Sequence, residues 1–147
     1  MKQHLKNNWF IYAFIIVIIA AWFSFPRNRF RFMASLGNSR SMYYLARDYY
    51  RMGPAENVPK GDYWMRRSAN RGNKDAMWQL FCRFQVSNST EAIYWLKKRA
   101  DLNDYMALSE QGKGYKYGMY GLPKDESMAQ KYFQLAHDAN KNEKMKK

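Results

Sequence analysis

Shifted by 35 positions, this sequence lies on itself. ASLGNSRSMYYL (Ala34 to Leu45) falls on ANRGNKDAMWQL (Ala69 to Leu80), with Ala34/Ala69, Gly37/Gly72, Asn38/Asn73, Met42/Met77 and Leu45/Leu80 identical. Shifted by 31, DYWMRRSA (Asp62 to Ala69) falls on IYWLKKRA (Ile93 to Ala100), pairing Trp64 with Trp95 and Ala69 with Ala100. A third copy runs through Ala107, Gly112, Tyr115, Gly118, Asp125, Ala129, Tyr132, Phe133 and Ala136. A unit this short cannot bury its own apolar face and must stack on copies of itself.

Each unit reads as two helices. Ser41, Leu45, Ala46 and Tyr49 recur at helical spacing, as do Ala76, Leu80, Phe81 and Phe84. Gly53-Pro54 should end the first helix of its unit, because proline cannot continue the hydrogen-bond ladder. The second helices, around Tyr63-Trp64 and Tyr94-Trp95, should close near Gly72 and Asn103, residue types that tolerate a positive φ. Trp64 and Trp95, at equivalent positions, should both be largely buried. No β-branched alternation appears, so the expected fold is all-α.

The succession of small and aromatic positions resembles the Sel-one-like repeats, relatives of the tetratricopeptide repeats. The best-matching copy is Ala107, Gly112, Tyr115, Gly118, Gly121-Leu122, Asp125, Ala129, Tyr132-Phe133 and Ala136, and the likeness extends from Ala34 to Ala139. Three departures bear on the helix ends. Gln111 stands where the family carries leucine, one residue is inserted between Gly118 and Gly121, and VSNST (Val86 to Thr90) replaces a glycine turn. The resemblance implies a short right-handed α-solenoid of about three helix pairs that binds protein on a concave face lined by the first helix of each unit. Its registration puts Tyr43, Arg47 and Tyr50 on that face, then Trp78, Cys82 and Gln85, then Ser109, Lys113 and Lys116. Packing of Tyr43 and Trp78 between repeats is the competing role for those two rings.

Upstream lies an uncharged run, WFIYAFIIVIIAAWFSF (Trp9 to Phe25). As a helix it would measure roughly 25 Å, the short end of a membrane span. Aromatic rings stand at both ends, Lys2 and Lys6 precede it, and Pro26, Arg27, Arg29 and Arg31 follow it. Cleavage after Ala21 as a signal peptide is the alternative, disfavoured because Ile19 and Ala21 make a weak site. The expected organisation is a basic tail at 1–8, a transmembrane signal-anchor helix at 9–25, and a basic juxtamembrane linker at 26–33. A repeat domain at 34–139 and a basic tail at 140–147 complete it. The positive residues on the two sides nearly balance, so orientation stays open.

Chemistry is poorly provided for. One cysteine, Cys82, excludes an intrachain disulfide and an all-cysteine zinc site. Two histidines, His4 and His137, leave little for a histidine-based metal or nucleophile site. GKGYKYG (Gly112 to Gly118) lacks the strand before it and the Gly-Lys-Ser/Thr that a phosphate loop requires. Asp101/Asp104 and Asp125/Glu126 fall near expected helix starts, where the macrodipole favours carboxylates. No catalytic set, metal or cofactor is expected.

Charge is left over. The 25 Lys and Arg outnumber 12 Asp and Glu, a formal +13, with runs at Arg66-Arg67 and at Lys97-Lys98-Arg99. Arg66, Arg67, Lys97 and Lys98 form a candidate basic rim, suited to an acidic protein or to anionic headgroups and poorly to nucleic acid beside a membrane. The expectation is a non-catalytic, membrane-anchored interaction module of the bacterial inner membrane, its soluble domain in the periplasm. By resemblance to small exported members of the family, it would be an immunity protein that neutralises a toxin effector. A scaffold or assembly factor of an inner-membrane complex is the alternative.

Overall fold

The computed structural model describes residues 9–53 and 55–145. The N-terminal tail, Pro54, the last two lysines and the side chains at positions 22, 23, 26 and 27 lie outside the described residues, so expectations resting on them are not addressed. Among the described residues eight α-helices follow one another, with no strand: α1 (Trp9–Ser24), α2 (Pro26–Ser35), α3 (Ser39–Arg51), α4 (Val58–Asn70), α5 (Lys74–Phe84), α6 (Ser89–Ala100), α7 (Tyr105–Tyr117) and α8 (Glu126–Lys144). A single 3-10 turn, Ala55–Asn57, leads into α4. Three antiparallel pairs, α3–α4, α5–α6 and α7–α8, stack in chain order, each helix packing on its neighbours in sequence. The architecture is an α-solenoid.

Side-chain caps set most of the helix starts. Asn38, Asn73, Asn88, Asp104 and Asp125 each accept a hydrogen bond from the backbone N–H three residues on, at 2.8–3.2 Å. Each satisfies one donor that the first helical turn would otherwise orphan. Asp101, grouped with Asp104 on the sequence, instead ends α6 at its C-terminus.

The sequence repeat is a structural one. Gly37 and Gly72 take φ of +94° and +83°, the left-handed region where a Cβ would be strained. The asparagine after each returns its N–H to the carbonyl five residues back, Asn38 to Met33 at 3.0 Å and Asn73 to Ser68 at 3.3 Å. The same helix-ending motif therefore joins α2 to α3 and α4 to α5. Asn103 also adopts positive φ, +52°, and closes the α6–α7 turn.

Alanines bring the helices close, and methionines and aromatics fill what remains. Ala46, Ala69, Ala76, Ala92 and Ala107 are sealed among Met65, Met77, Leu80, Phe81, Trp95 and Leu96. In the last pair, Gly112 is the point of closest approach, because a Cβ there would sit 2.7 Å from the Phe133 ring. Gln111 is buried beside Gly112 on the same helix.

Two expectations need correction. The segment at 26–33 is a helix, α2, whose Ala34 packs on Met42 and Leu45 with Phe30 beside them. Proline opens it, where its fixed φ and missing donor cost nothing. The basic segment at 140–147 begins as the exposed end of α8, which continues through Lys144. Trp95 is buried, but Trp64 is only half-buried, since the first pair has the single helix α2 as its outer neighbour. The apolar helix extends through Ser24, where Phe25 precedes a proline and turns to an extended ψ of 115°. No helix among the described residues is long and apolar enough to cross a membrane. The side chains of α1 are nonetheless mostly exposed, from Phe10 and Ile11 through Phe14, Ile16 and Ile19.

Candidate protein-binding face

The first helices of the three pairs, α3, α5 and α7, carry the residues assigned to a partner, and α5 is their common neighbour. On α3, the Arg47 guanidinium lies 5.6 Å from the centre of the Tyr43 ring, and Arg47 is exposed. Tyr43 is half-buried against the core, so it serves packing and surface together. Tyr50 is more committed. Its hydroxyl donates to Asp62 Oδ1 at 2.7 Å, its ring lies on Gly61, and Arg83 covers it at 5.1 Å. Burial and the bond to Asp62 raise its pKa well above the usual phenol value. Arg83 closes the arrangement with an ion pair to Asp62 at 3.0 Å.

On α5, Trp78 and Cys82 stand one turn apart on the same face. Trp78 packs on Phe81, ring centres 5.2 Å apart, and lies under the Arg99 guanidinium at 5.1 Å. Cys82 is exposed. Partial burial and then the Glu110 carboxylate hold its thiol above the ordinary pKa, with Arg99 opposing. That environment disfavours the thiolate, so it does not make an activated nucleophile. Gln85 is half-buried at the end of α5, where its N–H caps the Phe81 carbonyl at 2.9 Å.

On α7, Ser109 is half-buried, while Lys113 and Lys116 are exposed. Lys113 pairs with Glu110 at 2.8 Å, and Lys116 lies 5.5 Å from the Tyr117 ring centre. The other oxygen of Glu110 accepts the Tyr120 hydroxyl at 2.7 Å, and the Tyr120 ring meets Phe81 edge-on at 5.0 Å. Burial and Glu110 push the Tyr120 pKa well above the phenol range. Sequence reasoning missed Glu110 and Tyr120. Glu110 could have been found from its i,i+3 spacing to Lys113. Tyr120 has no local signal, because a positive φ of +59° in the α7–α8 loop folds it back.

The basic rim is not a uniform patch. Arg66 forms a two-pronged ion pair with Glu91, with the Nη2–Oε2 contact at 3.1 Å, and covers the Phe84 ring at 5.0 Å. Arg67 donates to the Tyr63 hydroxyl at 2.7 Å. Lys98, the repeat equivalent of Arg67, donates to Tyr94 at 3.1 Å and to Asn70 at 2.8 Å. Lys97 is exposed, but Arg99, counted with it as a run, is 3% exposed and paired with Asp104 at 2.9 Å. His137 is exposed on α8, and no group of three or more metal-binding side chains occurs among the described residues.

Stacked helix pairs with a half-buried aromatic and cationic face define the class: a short, all-α repeat solenoid. The fold is similar to that of a Sel1 repeat protein from Oxalobacter formigenes, with a TM-score of 0.61 at 22% identity. The match covers 75% of this chain and 47% of that one, so the chain spans about half the length of the protein it resembles. The likeness establishes the Sel1-type repeat fold. No family model matches the sequence, and no curated protein matches it.

Proposed function

We propose that this chain is a non-catalytic, membrane-attached interaction module that seats a partner protein on the face of α3, α5 and α7. The observation that carries the reading is the character of that face. Tyr43 and Trp78 are each part-buried under or beside a guanidinium, and Arg47, Cys82, Lys113 and Lys116 surround them exposed. Aromatic and arginine side chains with a packed base and an open edge are the residue types that dominate interface energetics. Attachment to the bilayer rests on α1, whose uncharged, apolar side chains remain exposed among the described residues.

Within this reading the finer assignment is an envelope immunity protein of the bacterial inner membrane, its repeat domain in the periplasm, binding and neutralising a toxin effector. The fold supports partner recognition, and the toxin is the part that rests on resemblance alone. A partner that is itself an integral-membrane protein would identify a scaffold instead.

The test is a set of variants assayed against the protein that co-purifies with the full chain. Alanine at Tyr43 or Trp78 should weaken binding by about 2 kcal/mol apiece while helicity is retained. Reversing charge at Lys97 and Lys98 should mainly change association rate and salt dependence, since rim charges steer more than they hold. Loss of binding confined to the charge-reversed variants would remove the face from consideration.

A further inference from the structure

Between α2 and the outer side of α3 lies a cleft of about 740 Å³ that shares Arg47 with the proposed partner face. Its lining includes Phe25, Asn28, Phe30, Tyr44, Arg47 and Arg51. Phe30 stacks on Tyr44, ring centres 5.3 Å apart, and forms an apolar wall. The Arg29 guanidinium lies 5.9 Å from the Phe30 ring centre. Arg47 is exposed, and the Arg51 side chain is 82% exposed, with a 3.5 Å contact to Asp48, which lines the same cleft. Arg47 and Arg51 against the carboxylate of Asp48 leave the described lining with an excess of positive charge beside an aromatic wall.

Its position matters as much as its charge. Phe25, where the apolar helix α1 gives way to α2, is itself a lining residue. If α1 is embedded in a bilayer, the cleft stands where the hydrocarbon ends and the headgroups begin. Arginine binds a phosphodiester through a planar fork of donors, and an aromatic wall suits the glycerol and first methylenes beside it.

We infer that the α2–α3 cleft holds the headgroup of one anionic phospholipid of the membrane in which α1 is embedded, with Arg47 and Arg51 as its phosphate ligands. This rests on the membrane reading of α1, and the two are separated in the test. Bound lipid would fix how the repeat domain stands on the membrane, because α3 carries both the cleft and the first part of the partner face.

The full chain, purified in a neutral detergent, is titrated with short-chain phosphatidylglycerol, phosphatidylcholine and inorganic phosphate, and retained adducts are counted by native mass spectrometry. Phosphatidylglycerol should be retained as a single adduct in preference to phosphatidylcholine. R47Q/R51Q, with helicity unchanged, should lose at least about tenfold in that affinity, the order expected for two basic residues close to an anionic headgroup. R47K/R51K should keep part of it. Equal retention of the two lipids, or unchanged retention by R47Q/R51Q, overturns the inference. Displacement of the lipid by inorganic phosphate at comparable concentration also overturns it, assigning the cleft to a free anion. Carbonate washing of the chain in neutral phosphatidylcholine vesicles reads the anchor separately. Release there removes the membrane reading, whatever the cleft retains.

Discussion

Replacing Trp95 with alanine should cost roughly 3–5 kcal/mol of folding stability, whereas the same change at Trp64 should cost roughly 1–2 kcal/mol. The two occupy equivalent repeat positions but different surroundings. Trp95 is 3% exposed in the middle pair, its indole N–H donates to Glu91 at 3.1 Å, and Tyr94 meets its ring edge-on at 4.8 Å. Truncation there opens a cavity inside the main core cluster and removes a donor from the carboxylate that also holds Arg66. Trp64 bridges the main cluster and the smaller one around Met42, and water already reaches part of it. Domains of this size are stable by about 5–15 kcal/mol, so the Trp95 variant should lose much of its margin. Urea midpoints followed by circular dichroism measure both. Equal costs, or less than about 1 kcal/mol at Trp95, would show that the repeat register is misassigned.

A comparable effect is expected at the α6–α7 turn. Arg99 is 3% exposed, its ion pair to Asp104 spans 2.9 Å, and the Asp104 side chain is 10% exposed. Asp104 also caps α7 and approaches Lys74 at 3.7 Å. D104N keeps a capping oxygen but leaves the buried guanidinium without its counter-charge, so it should cost about 3–5 kcal/mol. R99M should cost less, because Asp104 keeps its cap and Lys74. The double variant R99M/D104N should recover much of the loss, since burying an ion pair is itself expensive. A double-mutant cycle from denaturant unfolding gives the coupling directly. A D104N cost below about 1 kcal/mol would mean that water reaches the pair in solution. Because Arg99 also lies over Trp78, this turn helps hold that ring of the candidate face in place.

The features legible in the sequence are those whose cause is local. Gly37-Asn38 and Gly72-Asn73, paired by the 35-residue repeat, behave identically in the structure, each a left-handed helix end followed by a cap. Asp104 and Asp125 were expected near helix starts on the macrodipole argument, and both cap one. Burial of Ala46, Ala69, Ala76 and Leu80 followed from helical spacing. What was not legible depends on distant partners. Nothing in KKRA distinguishes an exposed Lys97 from a buried Arg99, because the difference is set by Asp104 beyond the turn and by Trp78 on another helix. The pairing of Arg66 with Glu91 across 25 positions is equally invisible, and it turns an apparent basic patch into an internal tie. The segment after the apolar run was read as a linker because its arginines are conspicuous, while the alternation of Phe30 and Ala34 against α3 is a tertiary fact. On the candidate face, the residue types were legible and their engagement was not. Tyr50 is tied down by Asp62, Gly61 and Arg83, whereas Arg47 keeps an exposed guanidinium.

Cys82 allows the partner face to be read without mutating it. It is the chain's single cysteine, it is exposed, and it lies one turn from Trp78 on α5 and near Glu110 on α7. Its raised pKa means slow alkylation at neutral pH and faster alkylation as the pH rises, so the free and the partner-bound chain are compared at one fixed alkaline pH. A partner seated on α3, α5 and α7 should slow maleimide labelling of Cys82 markedly, and the free rate should return when the complex is dissociated. An unchanged rate in a complex shown to be intact would contradict the assignment of this face as the partner's seat.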